Sequence, residues 1–160
     1  MEATLKAKAE QLLEEGEVAT LYQLIEPFIN AKDPEALLLY SSFSLESLNE
    51  SDEDFEARSV ALLKAASEGG LAEASYRLGV LYLYSDLATV EEDQSFFYFE
   101  RAITQGHSHS KFTYGFNLYY GTSQTKQDKA RGIQLLKEAA SEGIELAAEE
   151  LKIIYSSQHV

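Results

Sequence analysis

A chain of 160 residues, 45% of them hydrophobic, is long enough for one globular domain or one short repeat array. Its formal charge of −14 argues against nucleic acid as a direct ligand, because binding a phosphate backbone needs a basic surface. With no cysteine there is no disulfide framework, and no apolar run approaches the roughly 20 residues that span a bilayer. The start, Met1-Glu2-Ala3-Thr4-Leu5-Lys6, lacks the basic segment and apolar core of a secretory signal.

The acidity is uneven. Residues 1–56 hold 14 acids and 3 bases, a net of −11, whereas residues 57–160 hold 13 acids and 10 bases, a net of −3. Such a field favours encounter with a basic protein, although acidity alone also keeps a small protein soluble.

In chain order, residues 2–15 are rich in Ala, Leu, Glu and Lys, and Ala3, Leu5, Ala7, Leu12 and Leu13 give an apolar side, so a helix ending at Gly16 is expected. It reads as the leftover helix of a degenerate repeat or as a cap on the stack. Residues 18–31 form the next helix, with a kink or stop expected at Pro27. Asp33-Pro34-Glu35 is a helix start, an N-cap acid followed by Pro at the first helical position, and Ala36 to Leu48 should follow as helix. Residues 49–56 read as an acidic loop. Its Asp52, Glu53, Asp54 and Glu56 lack the glycine and terminal glutamate of a calcium loop, so they are expected to be solvated and to offer contacts to basic side chains.

Residues 55–69 and 71–84 are two amphipathic helices meeting at a glycine turn. A second acidic loop, 85–92, carries Glu91 and Glu92, and Asp93 is placed to cap a helix over 94–105. That helix contains Phe96, Phe97, Tyr98 and Phe99 in succession, which cannot all face one side. Most of these rings belong to packing, and Tyr98 is the one assigned to a binding surface, where tyrosine is enriched. In the turn Gly106-His107-Ser108-His109 a metal would need further converging ligands, and there is no cysteine, so His107 is read as structural and no metal or cofactor is expected. Helices over 109–120, 128–142 and 144–156 complete the chain, with a polar loop at 122–127. No phosphate loop, nucleophile elbow or zinc spacing is present, so no catalytic residue is assigned.

The helices repeat. Ala74, Leu78, Gly79 and Tyr82 return 36 residues on as Ser110, Tyr114, Gly115 and Leu118, then 37 further as Ala147, Leu151, Lys152 and Tyr155. Going back 38 gives Ala36, Tyr40, Ser41 and Ser44. The preceding helices match as well: Leu62-Leu63-Lys64-Ala65-Ala66-Ser67-Glu68-Gly69 parallels Leu135 to Gly143, with Phe99 to Gly106 as the middle copy and a one-residue slip around Gly69 and Gly70. Glycine inside a helix costs about 1 kcal/mol against alanine, so Gly79 and Gly115 imply close helix crossings. Paired small residues followed by glycine imply a crossing and then a left-handed cap.

A period of thirty-odd residues with two helices each marks an α-solenoid. The pattern Lys-Ala-Ala-x-x-Gly-x-x-x-Ala-x-Tyr-x-Leu-Gly-x-x-Tyr, followed by residues 64–82 apart from the one-residue slip, by residues 101–119, and by residues 137–155 until Lys152 replaces the second Gly, resembles the Sel-one-like repeats of the tetratricopeptide clan. The resemblance implies an all-α, right-handed α/α solenoid, one repeat domain over 1–160. Residues 1–54 would be an N-terminal cap and degenerate repeat, and residues 55–160 three helix pairs. Ala74, Gly79, Gly106, Gly115, Ala139, Ala140 and Gly143 are the expected packing residues. It further implies a non-enzymatic module that binds another protein on a curved inner face made chiefly by the first helix of each pair. Some secreted members link each helix pair by a disulfide, and this chain departs from them, which favours a cytoplasmic protein. Small size, acidity and the lack of an attached domain fit a stoichiometric inhibitor, for instance a bacterial immunity protein, that covers a basic effector with Asp52, Glu53, Asp54, Glu91, Glu92 and Tyr98. A general adaptor is the alternative, and an enzyme or cell-wall ligand binder is a weaker one. Neither nucleic acid nor membrane is an expected partner, and the oligomeric state is left open between monomer and small homo-oligomer.

Overall fold

The computed structural model describes residues 1–84, 94–122 and 125–157. These form α1 (Ala3–Glu14), α2 (Val18–Asn30), α3 (Pro34–Tyr40), one turn of 3-10 helix (Glu46–Leu48), α4 (Asp52–Glu68), α5 (Ala72–Tyr84), α6 (Gln94–Thr104), α7 (Ser108–Tyr120), α8 (Lys129–Ser141) and α9 (Glu145–Ser157). Several starts are fixed by side chains that accept the unpaired N–H groups of a first turn. Asp33 accepts from Glu35 and Ala36, Ser51 from Asp54, and Asp128 from Arg131. His107 caps α7 through Nδ1, which accepts the Ser110 N–H at 3.2 Å, so the structural reading of His107 holds.

Two compact units, Met1–Ser75 and Tyr76–Val160, divide the chain inside α5. In the first, α1 packs on α2, α2 on α3 and α3 on α4. The core is Ala9 and Leu12 from α1, Leu21 and Ile25 from α2, Ala36 and Leu39 from α3, and Phe43. Near the end of the unit the fully buried Ser67 and Ser75 hydroxyls bond to each other at 2.7 Å, pairing two groups that burial would otherwise leave unsatisfied.

Three local expectations are corrected here. First, α2 does not stop at Pro27 but runs on to Asn30. Pro27 has no N–H to give the Gln23 carbonyl, and only three helical residues follow it. Second, helix does not extend from Ala36 to Leu48: α3 ends at Tyr40. The hydroxyls of Ser41 and Ser42 both donate to the Leu38 carbonyl, at 2.7 and 3.3 Å. The Arg58 guanidinium takes the carbonyls of Tyr40 and Phe43, at 3.2 and 3.0 Å. With these acceptors engaged, the chain closes in a 3-10 turn that leads through Asn49, at φ 46°, to the next cap. Third, α4 starts at Asp52, so Asp52, Glu53 and Asp54 occupy a helical first turn and not a loop. Acids are favoured there by the helix dipole.

In the second unit α6 packs on α7, α7 on α8 and α8 on α9. A methyl at Gly79 would meet the Phe99 ring at 2.9 Å, which is the close approach its position implied. The α7–α8 crossing is tighter. A methyl at Gly115 would meet Leu135 Cβ at 2.9 Å, and one at Gly132 would meet the Tyr119 nitrogen at 2.7 Å and the Gly115 oxygen at 2.8 Å. Two helices thus touch backbone to backbone. One core cluster there holds Leu83, Phe99, Tyr114, Leu118 and Leu135, and another holds Tyr119, Leu136, Ala139, Ala147 and Ile154.

Burial follows the repeat. Leu63, Phe99 and Leu136 are buried at one position, Ala66, Ala102 and Ala139 at a second, and Ala74, Ser110 and Ala147 at a third. Ala140 is half-buried. The positive φ falls on Gly70 (93°), Gly106 (89°) and Gly143 (93°), spaced 36 and 37 residues apart like the helices that follow. The apparent slip is therefore absent from the structure: Gly70 is the turn glycine, and Gly69 is the end of α4, set against Pro34 with no room for a methyl.

Candidate interaction surface

Helix α6 places its aromatic run by phase alone. Successive residues turn by about 100°, so two of the four rings face inward. Phe99 is buried and stacks on Tyr114, with centroids 5.6 Å apart. Tyr98 is only 8% exposed and lies parallel to Tyr82, 5.7 Å away. The ring expected on the surface is thus packed inside, and the exposed ones are Phe96 at 50% and Phe97 at 51%. The signal for this was in the sequence, since counting back three and four from the small Ala102 gives Phe99 and Tyr98.

Phe96 and Phe97, with Glu100, Arg101 and Thr104, line a shallow cleft of about 520 Å³ along α6. Phe96 stands edge-on to Tyr114 at 5.2 Å, Phe97 edge-on to Tyr98 at 5.0 Å, and the Arg101 guanidinium lies 6.0 Å from the Phe97 ring. Glu100 faces Arg131 of α8 across 3.5 Å. Tyr114, against which Phe96 and Phe99 pack, is 2% exposed, and its hydroxyl has no hydrogen-bond partner among the described residues. Burial pushes the Tyr114 phenol well above its ordinary range; the Glu100 charge acts in the same direction and Arg131 against it.

A second aromatic row, not singled out in the sequence, runs along α7: Phe112, Phe116 and Tyr120, spaced by four, with centroids 6.3 and 4.8 Å apart. The Tyr120 hydroxyl donates to Glu150 of α9 at 2.5 Å, and that carboxylate pushes the phenol up to about 12. Phe116, Tyr120 and Ile153 remain exposed.

The acids divide differently. Asp52, Glu53 and Asp54 are exposed on the first unit, while Tyr98 belongs to the second. Ser51 both caps Asp54 N–H and donates to its carboxylate, at 3.1 and 2.7 Å, so Asp54 is partly committed to the helix start. Glu91 and Glu92, with the expected loop and the Asp93 cap, lie outside the described residues. Among the described residues no three His, Asp or Glu side chains are grouped to hold a metal ion, and no helix is long and apolar enough to cross a membrane.

Helix pairs repeating at 36 and 37 residues, with small residues at each crossing and exposed aromatics on α6 and α7, define a helical-repeat scaffold of the solenoid class. A family model described as plant tetratrico peptide repeats matches residues 55–153, and the chain belongs to this family of tetratricopeptide-like repeats. The crystal structure of a Sel1 repeat protein from Oxalobacter formigenes superposes with a TM-score of 0.66 at 24% identity, covering 80% of this chain and 94% of that one, and so shares the fold. Among curated proteins none matches the chain. Repeat proteins of this kind bind other proteins on surfaces extended over several repeats.

Proposed function

We propose that this protein is a non-catalytic interaction module that holds one basic protein partner and masks it, as an inhibitor or immunity protein does, in the cytoplasm. The observation that carries the reading is the exposed aromatic face of α6. Phe96 and Phe97 each keep half their surface open beside charged Glu100 and Arg101, which is the composition of a binding hot spot with a polar rim. The net −11 of residues 1–56 supports a basic partner, because it would steer one in. The absence of cysteine fits a reducing compartment. The exposed Phe116 and Tyr120 of the α7 row favour the adaptor reading, since they offer a further surface for a further protein.

Asp52→Asn/Glu53→Gln tests the electrostatic part and leaves the Ser51–Asp54 cap intact. The wild-type complex, captured from native cell lysate, is expected to dissociate progressively as salt rises from 0.1 to 1 M, where the screening length falls from about 10 to about 3 Å. The variant should release the partner at lower salt. A complex that ignores both salt and these substitutions would remove the basic-partner reading. Many weak bands in place of one would establish an adaptor.

A further inference from the structure

We propose that one stripe of α9, with Phe116 and Tyr120 of α7 beside it, docks a basic amphipathic helix of a second protein. This face is separate from the α6 cleft, and the proposal does not rest on what that cleft binds.

The starting point is exposure. Leu146 and Ile153 of α9 keep 59% and 56% of their surface open, more than either exposed phenylalanine of α6. They are two helical turns apart, so they point the same way, separated by about 10 Å along the axis. At about 100° per residue, Glu150 lies about 50° to one side of their shared direction and Glu149 about 50° to the other. Lys152, the one base of α9, lies about 110° away from it. The stripe is thus an apolar pair between two carboxylates, with the only cation of the helix turned off it.

The α7 row meets this stripe at Tyr120, whose hydroxyl donates to Glu150 Oε1 at 2.5 Å and whose ring centre is 4.8 Å from that of Phe116. Phe116 and Ile153 are 37 residues apart, the same step as from Ser110 to Ala147, so the repeat sets them at equivalent positions of their helices. The Glu149 carboxylate makes no hydrogen bond or ion pair among the described residues, and that of Glu150 makes only the bond from Tyr120.

Charge selects the occupant. A second copy of this chain, meeting the first about a two-fold axis, would set Glu149 and Glu150 against their own counterparts. An anionic lipid surface would be repelled by the same carboxylates. A helix with apolar residues at i, i+3, i+4 and i+7 can lay them along Leu146 and Ile153. Lysine or arginine on its two flanks then reaches Glu149 on one side and Glu150 on the other.

The probe is a set of three synthetic helical peptides. The first carries a leucine stripe flanked on both sides by lysine, the second has glutamate for every lysine, and the third has glutamine for every leucine. Each is titrated into the full chain and followed by amide NMR shifts. The leucine–lysine peptide is expected to shift amides in 116–120 and 145–153 and to bind about tenfold more tightly than either control. Leu146→Ser/Ile153→Ser, exposed positions whose helicity is checked by circular dichroism, should weaken it about tenfold, and Glu149→Lys about threefold. Phe96→Ser/Phe97→Ser should leave it unchanged. No shifts, shifts confined to other segments, equal binding of the glutamate peptide, or binding that survives Leu146→Ser/Ile153→Ser would each overturn the proposal. Self-association of the chain through the same amides would overturn it as well, giving the face to a second copy. Any of these results leaves the α6 reading standing, and a failure of the α6 variant to lose its captured protein leaves this face standing.

Discussion

Gly132→Val is expected to destabilise the Tyr76–Val160 unit by about 3 kcal/mol, at the upper end of what overpacking a well-filled interior costs. The atoms that a side chain would strike are the Tyr119 nitrogen and the Gly115 oxygen, both within 2.8 Å of where a methyl carbon on Gly132 would sit. Both are main-chain atoms of α7 and cannot rotate aside as a side chain can. Even Gly132→Ala should lose stability. In an uncrowded helix the same change would gain about 1 kcal/mol, so the sign alone decides whether the α7–α8 crossing is as close as described. Urea unfolding followed by circular dichroism measures it; unchanged or raised stability of the alanine variant would contradict the crossing.

Arg58→Ala is expected to cost the Met1–Ser75 unit about 2–3 kcal/mol, from the loss of charge-assisted hydrogen bonds at a half-buried site. Arg58 joins what lies before α4 to α4 itself. It holds Glu50 at 2.5 and 2.9 Å, takes the carbonyls of Tyr40 and Phe43, and lies 4.4 Å from the Tyr40 ring centre and 5.3 Å from that of Phe55. Lysine cannot reproduce a planar fork with this many donors, so Arg58→Lys should recover little. The pair also sets a pH dependence. Hydrogen bonds from Arg58 and then Ser44 hold the Glu50 carboxyl down at about 2, from an ordinary 4.5. A depressed folded value means that the contribution is fully present above the ordinary range and is lost as pH falls from about 4.5 through about 2. Wild type should lose stability across that window, and Arg58→Ala should lose less across it. Equal acid sensitivity in both proteins would contradict the pairing.

Much of the fold is visible in the sequence because the repeat is written in small residues. Ala74, Ser110 and Ala147 mark one buried position, and Gly79 and Gly115 mark crossings that the structure contains. Gly132 was visible only as a glycine within a helix, since what it touches belongs to the preceding helix. The early end of α3 was hidden for a similar reason. The donor that takes the Tyr40 carbonyl is Arg58, 18 residues downstream, and local periodicity carries no sign of it. The slip at Gly69 and Gly70 misled because two adjacent glycines serve different ends, one giving room against Pro34 and the other a left-handed turn. For the surface, choosing Tyr98 from the aromatic run of α6 followed residue type, whereas helical phase exposes Phe96 and Phe97.

The most direct measurement is a paired capture from native cell lysate, wild type beside Phe96→Ser/Phe97→Ser. Both residues are half exposed, so the double variant should fold with wild-type helicity. The predicted result is a single protein recovered with wild type in near-equal amount and lost from the variant. Equal recovery by both proteins would remove the α6 face from the binding surface, and capture of no protein by wild type would contradict the interaction module itself.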